Sequence, residues 1–236
     1  MIRSKRYRGL RENLDSHQVH GLEAAVGLVK ARANARFDES VDIAVRLGID
    51  PKKQDQMIRG TVSLPHGTGK QVSVLVFCKG EKEAEAKAAG ADHVGFEDLA
   101  EKIQGGWFDF DVAVATPDTM SVVGRLGKLL APKGKMPSPK TKTVTFDLEP
   151  TIKALKAGRI NYRTDKTGNV HALVGKASFE PAQLVENIRA FVAELVRAKP
   201  AAAKGQYIRN VGLSSTMGPG VRVDLRDVVE TGRKGA

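Results

Sequence analysis

The chain has 236 residues, 41% of them apolar, enough for one large domain or two modest cores. Its 38 lysines and arginines outnumber 27 acids; the net charge of +11 favours a polyanionic partner and leaves the fold open. A lone cysteine, Cys78, excludes a disulfide framework and a four-cysteine zinc site, and no apolar run reaches membrane-spanning length. The lone cysteine fits a reducing, cytosolic setting; in chain order, the N-terminal MIRSKRYRGLREN is basic without a signal-peptide core, and Ser4–Asp15 reads as a short surface helix or a basic arm. Leu22, Val26, Val29 and Ala33 recur at helical spacing, which predicts a helix over Leu22–Ala33. Ser40–Leu47 alternates: Val41, Ile43, Val45 and Leu47 face one way, and Asp42, Ala44 and Arg46 the other, as a strand requires. Arg59–Leu64 reads as a second strand, closed by the break Pro65–Gly69.

The rhythm then changes. Val72–Cys78 is a continuous apolar strand with the thiol inside, suited to a sheet covered on both faces. A helix over Lys79–Ala89, a short strand Ala91–Val94, a helix Leu99–Gln104, a strand Val112–Ala115, and helices Pro117–Leu130 and Pro150–Ala157 follow. That alternation predicts α/β layering over a mostly parallel sheet. After Gly158, Asn161–Asp165 and Val170–Val174 flank Lys166-Thr167-Gly168-Asn169 and read as an antiparallel hairpin. Pro181–Arg197 is a helix with one broad apolar face, Lys199–Lys204 a linker, and Tyr207–Leu213 and Val221–Leu225 strands joined by Ser214–Gly220. The outer segments are antiparallel in style and the middle is α/β. The economical solution is a discontinuous domain, 1–67 with 159–236, carrying an inserted domain, 68–158; a single mixed sheet is the alternative.

Catalytic patterns are missing. Gly67-Thr68-Gly69-Lys70 has Leu64 and Gln71 where a phosphate-binding loop needs glycine and serine or threonine. His17, His20, His66, His93 and His171 are scattered, and Asp109 and Asp111 are ordinary turn residues, so no metal, cofactor or catalytic set is expected. The basic segment Gly124–Thr145 carries Arg125, Lys128, Lys133, Lys135, Lys140 and Lys142, and no acid occurs from Thr119 to Phe146. Broken by glycines and prolines, it suggests a shaped loop for a phosphate-bearing partner, RNA first. Ser214–Gly220 offers hydroxyls, Met217 and two close-approach glycines, and reads either as an RNA contact or as a plain surface turn. Arg36 leads into the first long strand as a phosphate contact, with Phe37 on a sugar or capping the core. Arg3, Lys5, Arg6, Arg8 and Arg11 add nonspecific attraction or form a solvated terminus. One Trp and three Tyr give few stacking platforms, which favours folded RNA read by backbone and shape.

Long segments in fixed order carry a resemblance: Phe37–Ile49, Gln56–Lys70, Gly105–Pro117, Gly124–Pro139, Gly158–Lys176 and Ala198–Val223. Over nearly its whole length the chain resembles the L-one family of bacterial large-subunit ribosomal proteins, which sit on the mobile RNA stalk beside the tRNA exit site. The resemblance implies a split-βαβ sandwich domain with an inserted Rossmann-like α/β domain that holds no nucleotide. It implies a structural protein, not an enzyme, that binds the large-subunit rRNA stalk in the cytoplasm. It further implies help in releasing deacylated exit-site tRNA, repression of its own operon mRNA, and a monomer when free. Carried onto this chain, the RNA-binding residues are Arg36, Phe37, Ser40, Lys166, Ser214, Ser215, Thr216, Met217 and Gly218. Arg125, Lys128, Lys133, Lys135 and Lys140 are demoted to secondary RNA contacts or an element between domains. Their loop departs from the family's usual Gly-Pro-Arg-Gly-Leu-Met-Pro-Asn-Pro-Lys, with Ala131 for the first glycine and Lys135 for the leucine.

Overall fold

A computed structural model describes residues 4–12, 14–15 and 17–228. The chain divides into two compact units: Met1–Gly69 with Ile160–Ala236, and Lys70–Arg159. No helix among the described residues is long and apolar enough to cross a membrane.

The first unit holds helices α1 (Lys5–Arg11), α2 (Leu22–Arg32) and α8 (Pro181–Arg197), numbered with the helices of the second unit in chain order. Its strands are β1 (Val19–His20), β2 (Ser40–Leu47), β3 (Arg59–Ser63), β7 (Arg159–Arg163), β8 (Asn169–Lys176), β9 (Ile208–Ser215) and β10 (Val221–Val223). Five of them form a sheet in the order β1-β10-β9-β2-β8, with β2 antiparallel to both neighbours. The predicted alternation in β2 sets its two faces: Val41, Ile43, Val45 and Leu47 are buried, and Asp42, Ala44 and Arg46 are exposed. α2 and α8 lie over the buried face. α8 starts on Pro181 inside a capping box of Glu180 and Gln183, and buries Leu184, Ile188, Phe191 and Leu195 on one stripe. Full burial of each such side chain stabilises the fold by roughly 1.5–3 kcal/mol.

The second unit has parallel strands β4 (Val74–Phe77), β5 (His93–Gly95) and β6 (Val112–Ala115) in the order β5-β4-β6. Helices α3 (Glu81–Ala88) and α7 (Leu148–Lys156) share one face; α4 (Glu97–Gln104), α5 (Met120–Arg125) and α6 (Gly127–Leu130) share the other. The central strand β4 is therefore buried on both faces, as its unbroken apolar run predicts. Cys78 is inside, and burial pushes its thiol up to about 11.

Several local expectations need correction. Pro117–Leu130 is not one helix: a single-turn 3-10 segment, Pro117–Thr119, precedes α5 and α6, which are separated at Leu126 between Gly124 and Gly127. The expected hairpin of 161–165 with 170–174 is only a tight turn with one bridge, Thr164 to Val170. β7 leaves to pair with β3, and β8 with β2. Asp165 organises the turn by accepting the Asn169 N–H (2.7 Å) and the Thr167 hydroxyl (2.7 Å) and N–H (2.8 Å), which holds its carboxyl far below the usual range. β1 was not foreseen, because two residues show no period. Ser214 and Ser215 end strand β9 instead of starting a loop. Arg3 lies outside the described residues.

Candidate RNA interface

At one end of the five-stranded sheet, the segment leading from α2 into β2 meets the turn joining β9 to β10. The ladder between β2 and β9 continues past its last pair through Thr216. Its N–H donates to the Ser40 carbonyl (3.0 Å), and its hydroxyl accepts the Ser40 N–H (2.9 Å). The Thr216 side chain thus supplies the sheet with an acceptor that the turning backbone no longer offers.

Glu39 joins the two loops. It is 1% exposed, and its two carboxylate oxygens accept the N–H of Ala35 (2.9 Å) and of Met217 (3.0 Å). Burial raises its pKa, but the Met217 N–H, the Ser215 hydroxyl, the Ala35 N–H and the positive charge of Arg6 outweigh that and hold the carboxyl below its ordinary value. A Cβ added to Gly218 would sit 2.3 Å from the Ser215 hydroxyl oxygen, so a larger residue there would have to turn that hydroxyl away.

Further contacts fix the rim. Arg6 donates to the Asn34 side-chain oxygen (2.6 Å) and to the Met217 carbonyl (2.9 Å). Asp38 accepts the N–H (3.1 Å) and hydroxyl (2.9 Å) of Ser178, and Lys176 donates to the Ser40 hydroxyl (2.9 Å). The outcome is a rigid backbone that holds two large apolar side chains in solvent, Phe37 at 54% and Met217 at 48% exposure. Phe37 does not cap the core. An exposed aromatic on a pinned loop is available for stacking on a sugar or base.

The structure brings Arg36, Phe37, Ser40, Ser215, Thr216, Met217 and Gly218 together, with Arg36 exposed beside Phe37. Ser214 lies just along β9, opposite Asp42 on the sheet face away from the helices. Lys166 is elsewhere. Its turn adjoins the far end of β2, where Leu47 N–H donates to the Gly168 carbonyl (3.0 Å) and Arg46 pairs with Asn169. Six residues of strand, about 20 Å, separate Ser40 from that end. The face between them is open and polar: Asp42, Arg46, His171, Asn210 and Arg222 stand around the small Ala44 and Gly212.

Sequence reasoning missed Glu39 and Lys176 as parts of this end. Glu39 had a signal: it shares the parity of Val41 and Ile43, which points it inward. Lys176 had none, because its role comes from the β2–β8 register that places it opposite Ser40.

The basic loop of the second unit behaves differently from a free cationic patch. Lys135 donates to the Phe108 carbonyl (3.0 Å) and to the Phe110 carbonyl, and Lys133 stands 3.3 Å over the Phe108 ring. Both charges pin the loop to the segment before β6. Lys135 thus has a structural use where the family places leucine. Ala131 has ordinary helical dihedrals, so the lost glycine imposes no strain. Arg125, Lys128 and Lys140 remain exposed.

A family model described as the Ribosomal protein L1p/L10e family matches residues 29–219. The match takes in the Phe37 segment, the whole second unit and the Thr216 turn, and the chain belongs to that family of structural ribosomal proteins that bind ribosomal RNA.

Proposed function

We propose that the unit built from both chain ends anchors the protein on the stalk of large-subunit rRNA. The RNA lies across the open face of the five-stranded sheet, from the Phe37–Met217 end to the Lys166 turn. The observation that carries this is the pair of exposed apolar side chains on loops locked by a buried, ionised Glu39. A polar strand face about 20 Å long extends from them, a length suited to several successive nucleotides. The mechanism is binding without covalent chemistry. Arg36, Arg46, Arg222 and Lys166 neutralise phosphates, while Ser40, Ser214 and Thr216 meet ribose hydroxyls and Phe37 stacks.

Recognition by shape extends to any RNA that reproduces the stalk, so a stalk-like structure in the messenger of the protein's own operon binds the same face and represses translation. The second unit moves with the stalk and assists departure of deacylated tRNA from the exit site, with Arg125, Lys128 and Lys140 as its secondary RNA contacts. The discriminating experiment titrates the full chain against isolated stalk RNA and an unrelated folded RNA over a salt series. A clear preference for stalk RNA is expected. Phe37→Ala weakens binding about tenfold, the loss of one stacking contact, with little change in stability because the ring is exposed. Equal affinity for the two RNAs would refute the reading.

A further inference from the structure

α1 is an odd helix. It has seven residues, buries no side chain, and carries Lys5 and Arg6 rather than an acid in its first turn. A helix so short is not stable alone, and cations at its N-terminus oppose its dipole. What holds it is polar and specific. The Ser4 hydroxyl accepts the Tyr7 N–H (3.3 Å), and Arg32 of α2 donates to the Leu10 carbonyl (3.1 Å). Arg6 is clamped at both prongs, to Asn34 and to the Met217 carbonyl, and its charge also reaches the Glu39 carboxylate. α1 is therefore docked on the same two loops that form the RNA-binding end. Arg6 and Leu10, four residues apart, share its docked face. Arg8 projects from the opposite side, flanked by Lys5 and Arg11, and all three are exposed. Beside them is an open cavity of about 340 Å³ lined by Tyr7, Arg8, Arg11, Glu12 and Leu14.

We infer that α1 is an outer wall of the RNA interface: Lys5, Arg8 and Arg11 contact phosphates of the RNA seated on the Phe37–Met217 loops, the two arginines through that cavity, and Arg6 is the positioning residue that sets the wall in place. This explains why a basic helix with nothing to bury is fastened to this end of the unit. It rests on the RNA-binding reading above.

The test measures affinity of the full chain for isolated stalk RNA between low and moderate salt, for wild type, for Lys5→Ala/Arg8→Ala/Arg11→Ala, and for Arg6→Lys. Each lost phosphate contact removes about 0.9 from the slope of log K against log salt on a duplex and about 0.7 on a single strand. The triple variant is expected to be flatter than wild type by about 2. Arg6→Lys keeps the charge and loses the two-pronged grip, so it is expected to be flatter by about 1 or more. Because Lys5, Arg8 and Arg11 are exposed, the urea midpoint of the triple variant should stay at the wild-type value. If wild type prefers stalk RNA and the triple variant keeps its slope, the wall is overturned and the RNA-binding reading stands. If Arg6→Lys alone keeps the wild-type slope, the positioning role is overturned. If wild type shows no preference, the underlying reading fails, and this inference with it.

Discussion

Replacing Glu39 by glutamine changes a single oxygen to an amide nitrogen and tests the junction most directly. In the native protein two carboxylate oxygens accept two backbone N–H groups, that of nearby Ala35 at 2.9 Å and that of Met217, 178 positions along the chain from Glu39, at 3.0 Å. A glutamine has one oxygen, so in either orientation its NH2 faces a donor, and one buried N–H is left unmet. Losing a charge-assisted bond at a site 1% exposed costs about 2–3 kcal/mol. With a urea slope of about 1–3 kcal/mol/M, the midpoint of the first unit should fall by about 1 M. Trp107, the only tryptophan, sits in the second unit, so the transition is followed by circular dichroism rather than by tryptophan emission. RNA affinity should fall about tenfold, the effect of a ~1.4 kcal/mol loss in the population of the locked loop. The pH dependence has a definite sign. The folded carboxyl is held below its unfolded value, so its contribution is fully present above the unfolded pKa and disappears as pH falls through the folded one. Glu39→Gln should therefore flatten the acid limb of the stability curve. Wild-type midpoint, acid limb and RNA affinity in the variant would refute the reasoning.

Thr216→Val removes the acceptor for Ser40 N–H at an exposed site where water can substitute, so stability should drop by less than about 1 kcal/mol. Stalk-RNA affinity should drop at least fivefold, and Thr216→Ser should retain most of it; a valine variant that titrates like wild type would remove the hydroxyl from the interface. Lys135→Ala breaks the tie to the Phe108 and Phe110 carbonyls. It should lower the Trp107-monitored urea transition by about 1–2 kcal/mol and leave RNA affinity and its salt slope unchanged. An unchanged transition with weaker RNA binding would return this lysine to the RNA contacts.

Periodicity carried the elements whose environment is uniform along their length. β2 was legible because one face is core and the other solvent, which writes period two over Ser40–Leu47. α8 was legible from its broad apolar stripe, and β4 from an unbroken run that only a two-faced burial explains. The same local logic failed where partners are distant. The turn at Lys166 looks like a hairpin because hairpin turns and sheet-switching turns use the same residues; the choice lies in β3 and β2, which compete for the two arms. The division of one basic helix into α5 and α6 depends on two glycines whose helical cost packing did not override.

The interface divides along the same line. Composition and charge pointed to RNA, and the motif order pointed to the family; both follow from residue identity and need no coordinates. Charge also drew attention to Gly124–Thr145, the most basic loop, but could not show that Lys133 and Lys135 have partners within the protein. A lysine's role depends on what lies within its reach, and here aromatic rings and backbone carbonyls from Phe108 and Phe110 do. Glu39 is the opposite case, an acid in a nucleic-acid-binding protein that strengthens the site because it is buried and saturated with N–H donors. Residue types and their spacing therefore set the partner class and most of the strands and helices, because hydrophobic period and net charge are local or additive. Which charges are free to meet RNA, and which are spent inside the protein, was decided by contacts between residues as far apart as Glu39 and Met217, which come together only when the chain is folded.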